Sequence, residues 1–115
     1  MADPKSYYTG VNAASKSLFL GEPAEAARLT NMVLPLVEKA TDGKDLYASS
    51  TLGEVYLLQG KVGEAAAQFE RVIDNNPFAA GDLKGTGEQA ERICAALKLS
   101  AQDTAKVMAP FKLLD

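Results

Sequence analysis

Apolar positions along this chain step by three and four, the period of helices buried on one face. Tyr8, Val11, the small Ser15 and Leu18 mark a first helix over roughly Lys5 to Leu20, which Gly21 ends. Asp3 and Ser6 suit its N-cap and Pro4 its first turn. Pro23 opens a second helix that runs to about Ala40, with Ala26, Leu29, Val33, Leu36, Val37 and Ala40 as its stripe. Pro35 lies inside it and predicts a bend near 31–35.

Thr41 to Lys44 is a turn signal, and a third helix follows from Leu46 to Leu58. Gln59, Gly60 and Lys61 make a tight turn. The fourth helix carries Val62, Ala65, Ala66, Phe69, Val72 and Ile73 on one face. Asp74-Asn75-Asn76-Pro77 stops it, with asparagine suited to a left-handed cap. The stretch Pro77 to Gly87 holds three glycines and reads as a loop. Thr86 with Gln89 forms a capping box, and Ala90, Ile93, Cys94 and Leu97 mark a fifth helix. Ser100 with Asp103 starts a sixth, faced by Thr104, Val107, Met108, Phe111 and Leu114, which Pro110 should weaken or end early.

The first two helices repeat in the next two. Gly21, Glu25 and Ala26 superpose on Gly60, Glu64 and Ala65, 39 positions on. Gly53 and Ala65 are small where two helices would touch; Leu52, Tyr56, Phe69 and Val72 fill the space around them. This spacing resembles the tetratricopeptide repeat, a helix–turn–helix unit of about 34 residues. Leu52, Gly53 and Tyr56 fall on its first helix and Ala65, Phe69 and Val72 on its second; Pro77 closes it, and Ser49 stands where the pattern has an aromatic. The resemblance implies an all-α fold of six helices in antiparallel pairs, a short right-handed solenoid. Residues 5–40 would be a degenerate copy, 45–77 a clear one, and 86–114 a capping pair over the exposed end.

The run from Tyr7 to Leu29, followed by Asp45 to Ile73, also resembles the TRAF-binding domain of apoptosis signal-regulating kinases and its bacterial relatives. The shared features are the opening Tyr-Tyr-x-Gly-Val-Asn-Ala-Ala at Tyr7 to Ala14 and the Thr-Leu-Gly-Glu segment at Thr51 to Glu54. That resemblance implies a regulatory protein–protein interaction module without catalysis, often part of a longer chain, and the initial methionine leaves open whether this one is excised.

Composition narrows the function classes. The 115 residues suit one domain; 47% are apolar and 23% charged, as in a soluble globular protein. The net charge is -3 with both signs interspersed and no basic stripe, which disfavours nucleic acid. No apolar run approaches the ~20 residues of a membrane span. The opening octet, MADPKSYY, lacks the apolar core of a secretion signal. Cys94 is the single cysteine, which fits a reducing compartment, so the expected location is cytoplasmic. There is no histidine, hence neither the commonest general base nor the commonest metal ligand. The glycines at 81, 85 and 87 lack the strand-to-helix setting of a phosphate loop. No catalytic set, metal cluster or cofactor site is read.

In stacked repeats the first helices line a groove. Here that implies Tyr8, Val11, Asn12, Ser15 and Phe19, then Tyr47, Ser50, Thr51, Glu54 and Leu58, a mixed surface suited to an extended peptide or a helix. Each has a plain structural alternative. Val11, Phe19 and Leu58 serve equally as core, Ser50 and Thr51 as helix surface, Asn12 as a partner for a neighbouring helix, and Glu54 as a solvated or internally paired carboxylate. Many tetratricopeptide co-chaperones grip a C-terminal carboxylate with lysine, arginine and asparagine. Only Asn12 is of a suitable type here, and Glu54 would repel such a terminus. The expected function is a non-catalytic module that docks a protein or peptide partner. The alternative is an assembly element that stacks on further repeats or on itself as a homo-oligomer.

Overall fold

The computed structural model describes residues 6–40 and 46–114. Six α-helices account for most of them: α1 (Ser6–Phe19), α2 (Pro23–Ala40), α3 (Leu46–Leu58), α4 (Val62–Asn75), α5 (Ala80–Ala96) and α6 (Ala101–Met108). A 3-10 helix, Ala109–Leu114, completes them, and no strand occurs among the described residues. The N-cap candidate Asp3, Pro4 and the turn at 41–44 lie outside the described residues, as do the side chains of Ser6, Tyr7 and Tyr8.

The turns come directly from the sequence. Gly21 and Gly60 both adopt positive φ, 81° and 77°. Each ends its helix with the same paired bonds: Gly21 N–H to Leu18 C=O and Glu22 N–H to Ser17 C=O, then Gly60 N–H to Leu57 C=O and Lys61 N–H to Tyr56 C=O. This is a Schellman closure, which satisfies carbonyls the helix end leaves open. It recurs at the third pair, where Lys98 N–H reaches Ala95 C=O and Leu99 N–H reaches Cys94 C=O. Lys98 takes the left-handed conformation there, φ 58°, without being glycine.

Small residues set the close approaches. Ala26 and Ala65 are buried where each second helix begins, and Gly53 lies under the ring of Phe69. In α1, Gly10 has Val33 against it in the same way. Where the first copy has Thr30 in place of Phe69, the buried hydroxyl donates to the Ala26 carbonyl at 2.6 Å, so the smaller side chain leaves no polar group unpaired. Gln68 of α4 donates its side-chain amide to the Ser49 carbonyl of α3 at 3.1 Å. The Arg71 guanidinium in turn donates to the Gln68 carbonyl. One core, from Val11 through Phe69 to Phe111, runs through all three helix pairs.

Four details correct or extend the sequence reading. First, α5 begins at Ala80, not Thr86, so most of the expected loop is helix. Thr86 is not a cap; its hydroxyl faces the Asp82 carbonyl one turn back. Burial outweighs the low helix propensity of the glycines: Leu83 is 1% exposed, and Gly87 leaves room for the ring of Phe111. Second, α2 continues unbroken through Pro35, which stands on the exposed side. Third, Asn76 caps α4 with φ -132°, not left-handed, and its side-chain amide donates to the Val72 carbonyl. Fourth, α5 and α6 do more than cover an end. The helix α5 packs against both α1 and α3, and α6 packs against α4. The sixth helix itself agrees with expectation: the Ser100 hydroxyl accepts from the Asp103 N–H at its start, and it ends two residues before Pro110.

Candidate functional site

Where α1, α3 and α5 meet they border a half-open cavity of about 260 Å³. Helical spacing supplies its wall. Tyr47, Ser50, Thr51 and Glu54 follow one face of α3 at steps of three, one and three; Asp82 and Thr86 lie one turn apart on α5; Val11 and Asn12 close it from α1. Asn12 and Tyr47 are exposed at the margin, while Ser50 and Thr51 are buried deeper.

The structure thus brings together Asn12, Tyr47, Ser50, Thr51 and Glu54 of the expected groove. It leaves out Ser15, Phe19 and Leu58. Ser15 is buried, and its hydroxyl has no partner among the described residues. Leu58 is part of the core, and Phe19 is 44% exposed at the far end of α1. Seven residues separate Phe19 from Asn12, roughly 10 Å of helix, so it cannot reach the cavity. Tyr8 lies on α1, its side chain outside the described residues.

Asp82 and Thr86 are additions, and so is Gln89, which hydrogen-bonds Glu54 from α5. The signal for them lay in Leu83, Ala90, Ile93 and Cys94, whose helical period extends back past Thr86. The intervening glycines hid it.

Electrostatics single out Glu54. Its carboxyl is partly buried, and burial pushes it up to about 7, with the Gln89 hydrogen bond offsetting part of the rise. It is thus a partly buried carboxyl hydrogen-bonded within the chain. Among the described residues no lysine or arginine lines the cavity, and the two charged residues of its wall, Glu54 and Asp82, are both acidic. Cys94 is fully buried, and that burial pushes its thiol up too, which favours the unreactive protonated form.

Two other hollows are more open. One runs along α5 and the terminal 3-10 helix past Gly87 and Phe111; the other lies between α4 and α6 beside Ala66 and Pro110. Neither contains a residue of the expected groove. Among the described residues no cluster of histidine, cysteine or carboxylates has a metal-binding arrangement, and no helix is long and apolar enough to cross a membrane. No family model, curated protein or solved structure matches the chain.

Proposed function

We propose that this chain is a non-catalytic interaction module of tetratricopeptide-like kind, which docks an extended peptide segment of a partner protein across α1, α3 and α5. The observation that carries this reading is the convergence of Asn12, Tyr47, Ser50, Thr51 and Glu54 on one cavity. A wall of aromatic, hydroxyl, amide and carboxylate groups offers a peptide both apolar contact and aimed hydrogen bonds. The shared turn geometry at Gly21, Gly60 and Lys98 supports the repeat character of the scaffold. The resemblance at Tyr7 to Ala14 and Thr51 to Glu54 supports a regulatory setting.

The test is selection from a random peptide library on the immobilised chain, repeated on the double variant Asn12→Ala, Glu54→Lys. Selected peptides should lose at least ten-fold in affinity for the variant. Equal affinity would move the docking face elsewhere on the molecule.

One observation favours the assembly reading as well. Phe19, Leu20 and Met32 of the first helix pair are large, apolar and exposed. Sedimentation of the chain over a hundred-fold concentration range decides it: a constant monomer mass excludes self-stacking through that end.

A further inference from the structure

We propose that the cavity receives one cationic side chain, lysine or arginine, of the docked peptide, held between Glu54 and Asp82. The inference rests on the docking reading above and names the chemistry of its anchor.

Three observations carry it. The first is charge. Among the described residues, the cavity wall around Glu54 takes Val11 and Asn12 from α1 and Asp82 and Thr86 from α5, and Gln89 of α5 hydrogen-bonds Glu54 itself. The only charged member of that set is Asp82, of the same sign. Two carboxylates facing one hollow, with no cation among the described residues of its wall, are complementary to a positive group and repel an anion.

The second is size. About 260 Å³ is below the 300–1,000 Å³ range of pockets for drug-sized ligands, and suits a single side chain. The third is unfilled hydrogen-bonding capacity. A guanidinium brings five N–H donors and an ammonium three. The hydroxyls of Thr51 and Thr86, the Asn12 amide and the two carboxylates offer acceptors for them. The Ser50 hydroxyl in the same wall is buried with no hydrogen-bond partner among the described residues. Tyr47, 63% exposed, adds an aromatic residue to the margin. Burial that holds the Glu54 carboxyl towards its neutral form is reversed when a cation arrives, so the site is poised to ionise on binding.

The experiment follows backbone amide shifts of the full chain, labelled with ¹⁵N. The probe is a heptapeptide with arginine at its centre and glycine and serine on either side. Matched peptides carry norleucine or glutamate at the centre, and argininamide serves as the free cation. Saturating shifts at Thr51, Glu54, Asp82 and Thr86 are expected with the arginine peptide, at least ten-fold weaker with norleucine, and absent with glutamate. Glu54→Gln with Asp82→Asn should abolish the arginine preference while keeping a dispersed, native spectrum.

Norleucine or glutamate binding as well as arginine, or the double variant keeping its arginine preference, overturns cation recognition and leaves peptide docking standing. Argininamide binding as tightly as the peptide reassigns the cavity to a free cationic metabolite. No shift in any lining residue with any peptide removes both readings.

Discussion

Gly53 of α3 lies flat against the ring of Phe69 on α4: a Cβ at 53 would sit 2.5 Å from Phe69 Cε1. The ring cannot move aside, because it is 1% exposed and packs on Phe111 at a centroid distance of 4.9 Å. Gly53→Ala therefore sets helix propensity against packing. Propensity gains about 1 kcal/mol. Overpacking a tight contact costs about 1–3 kcal/mol. The net expectation is destabilisation, read as a lower urea midpoint; an unchanged or higher midpoint would show that α3 and α4 are not in this close register.

Phe111 ties the terminal 3-10 helix to the core. It meets Phe69 at a 56° tilt and overlies Gly87 of α5. Phe111→Ala should cost about 3 kcal/mol in denaturant unfolding, the lower end for emptying a buried aromatic site. A cycle with Phe69→Leu should show a coupling of about 0.5–1.5 kcal/mol, the range for aromatic pairs. Additive effects would mean the two rings do not share one packed cluster.

Lys98 performs at the third turn what Gly21 and Gly60 perform at the first two. A side chain in the left-handed region costs about 1–2 kcal/mol, and glycine avoids most of that at some cost in unfolded-chain entropy. Lys98→Gly should therefore stabilise the chain by about 0.5–1 kcal/mol, measured by calorimetry as a higher melting temperature. The same replacement at Lys106, a helical residue in the last turn of α6, is the contrast and should destabilise by up to about 1 kcal/mol.

These three relationships mark what was legible in the sequence and what was not. The glycine turns and the small contacts at Ala26, Gly53 and Ala65 follow from residue type and spacing alone. The Lys98 turn does not, because lysine carries no sign of a left-handed backbone, so the third pair looked unlike the first two. Thr86 and Gln89 have the spacing of a cap, yet the burial of Leu83 and the fit of Gly87 to Phe111 begin the helix at Ala80. That miss propagated to the site. The cavity residues of α1 and α3 were named from the geometry of the resembled repeat, whereas Asp82 and Thr86 were hidden in what read as a loop. Phe19 and Leu58, also expected in the groove, lie on the same two helices but do not line the cavity.

The last prediction concerns Glu54. Its carboxyl sits at about 7 in the folded chain and near 4.3 when unfolded. The folded state thus holds the proton more tightly, so between those values it binds more protons than the unfolded state. Linkage then requires stability to fall as pH rises through that window, and the full cost is present above about 7. Each unit is worth about 1.4 kcal/mol, and partial exposure of the group reduces the total to about 2 kcal/mol. Glu54→Gln keeps the shape and cannot ionise, so it lacks this slope. All other titrating groups are common to both chains and cancel in the difference. The two chains should have similar urea midpoints at pH 4.5, and the variant should be the more stable by about 2 kcal/mol at pH 8. Parallel stability curves across that range would show that Glu54 is as well solvated in the folded chain as in the unfolded one, and would remove the electrostatic poise on which cation recognition in the cavity partly depends.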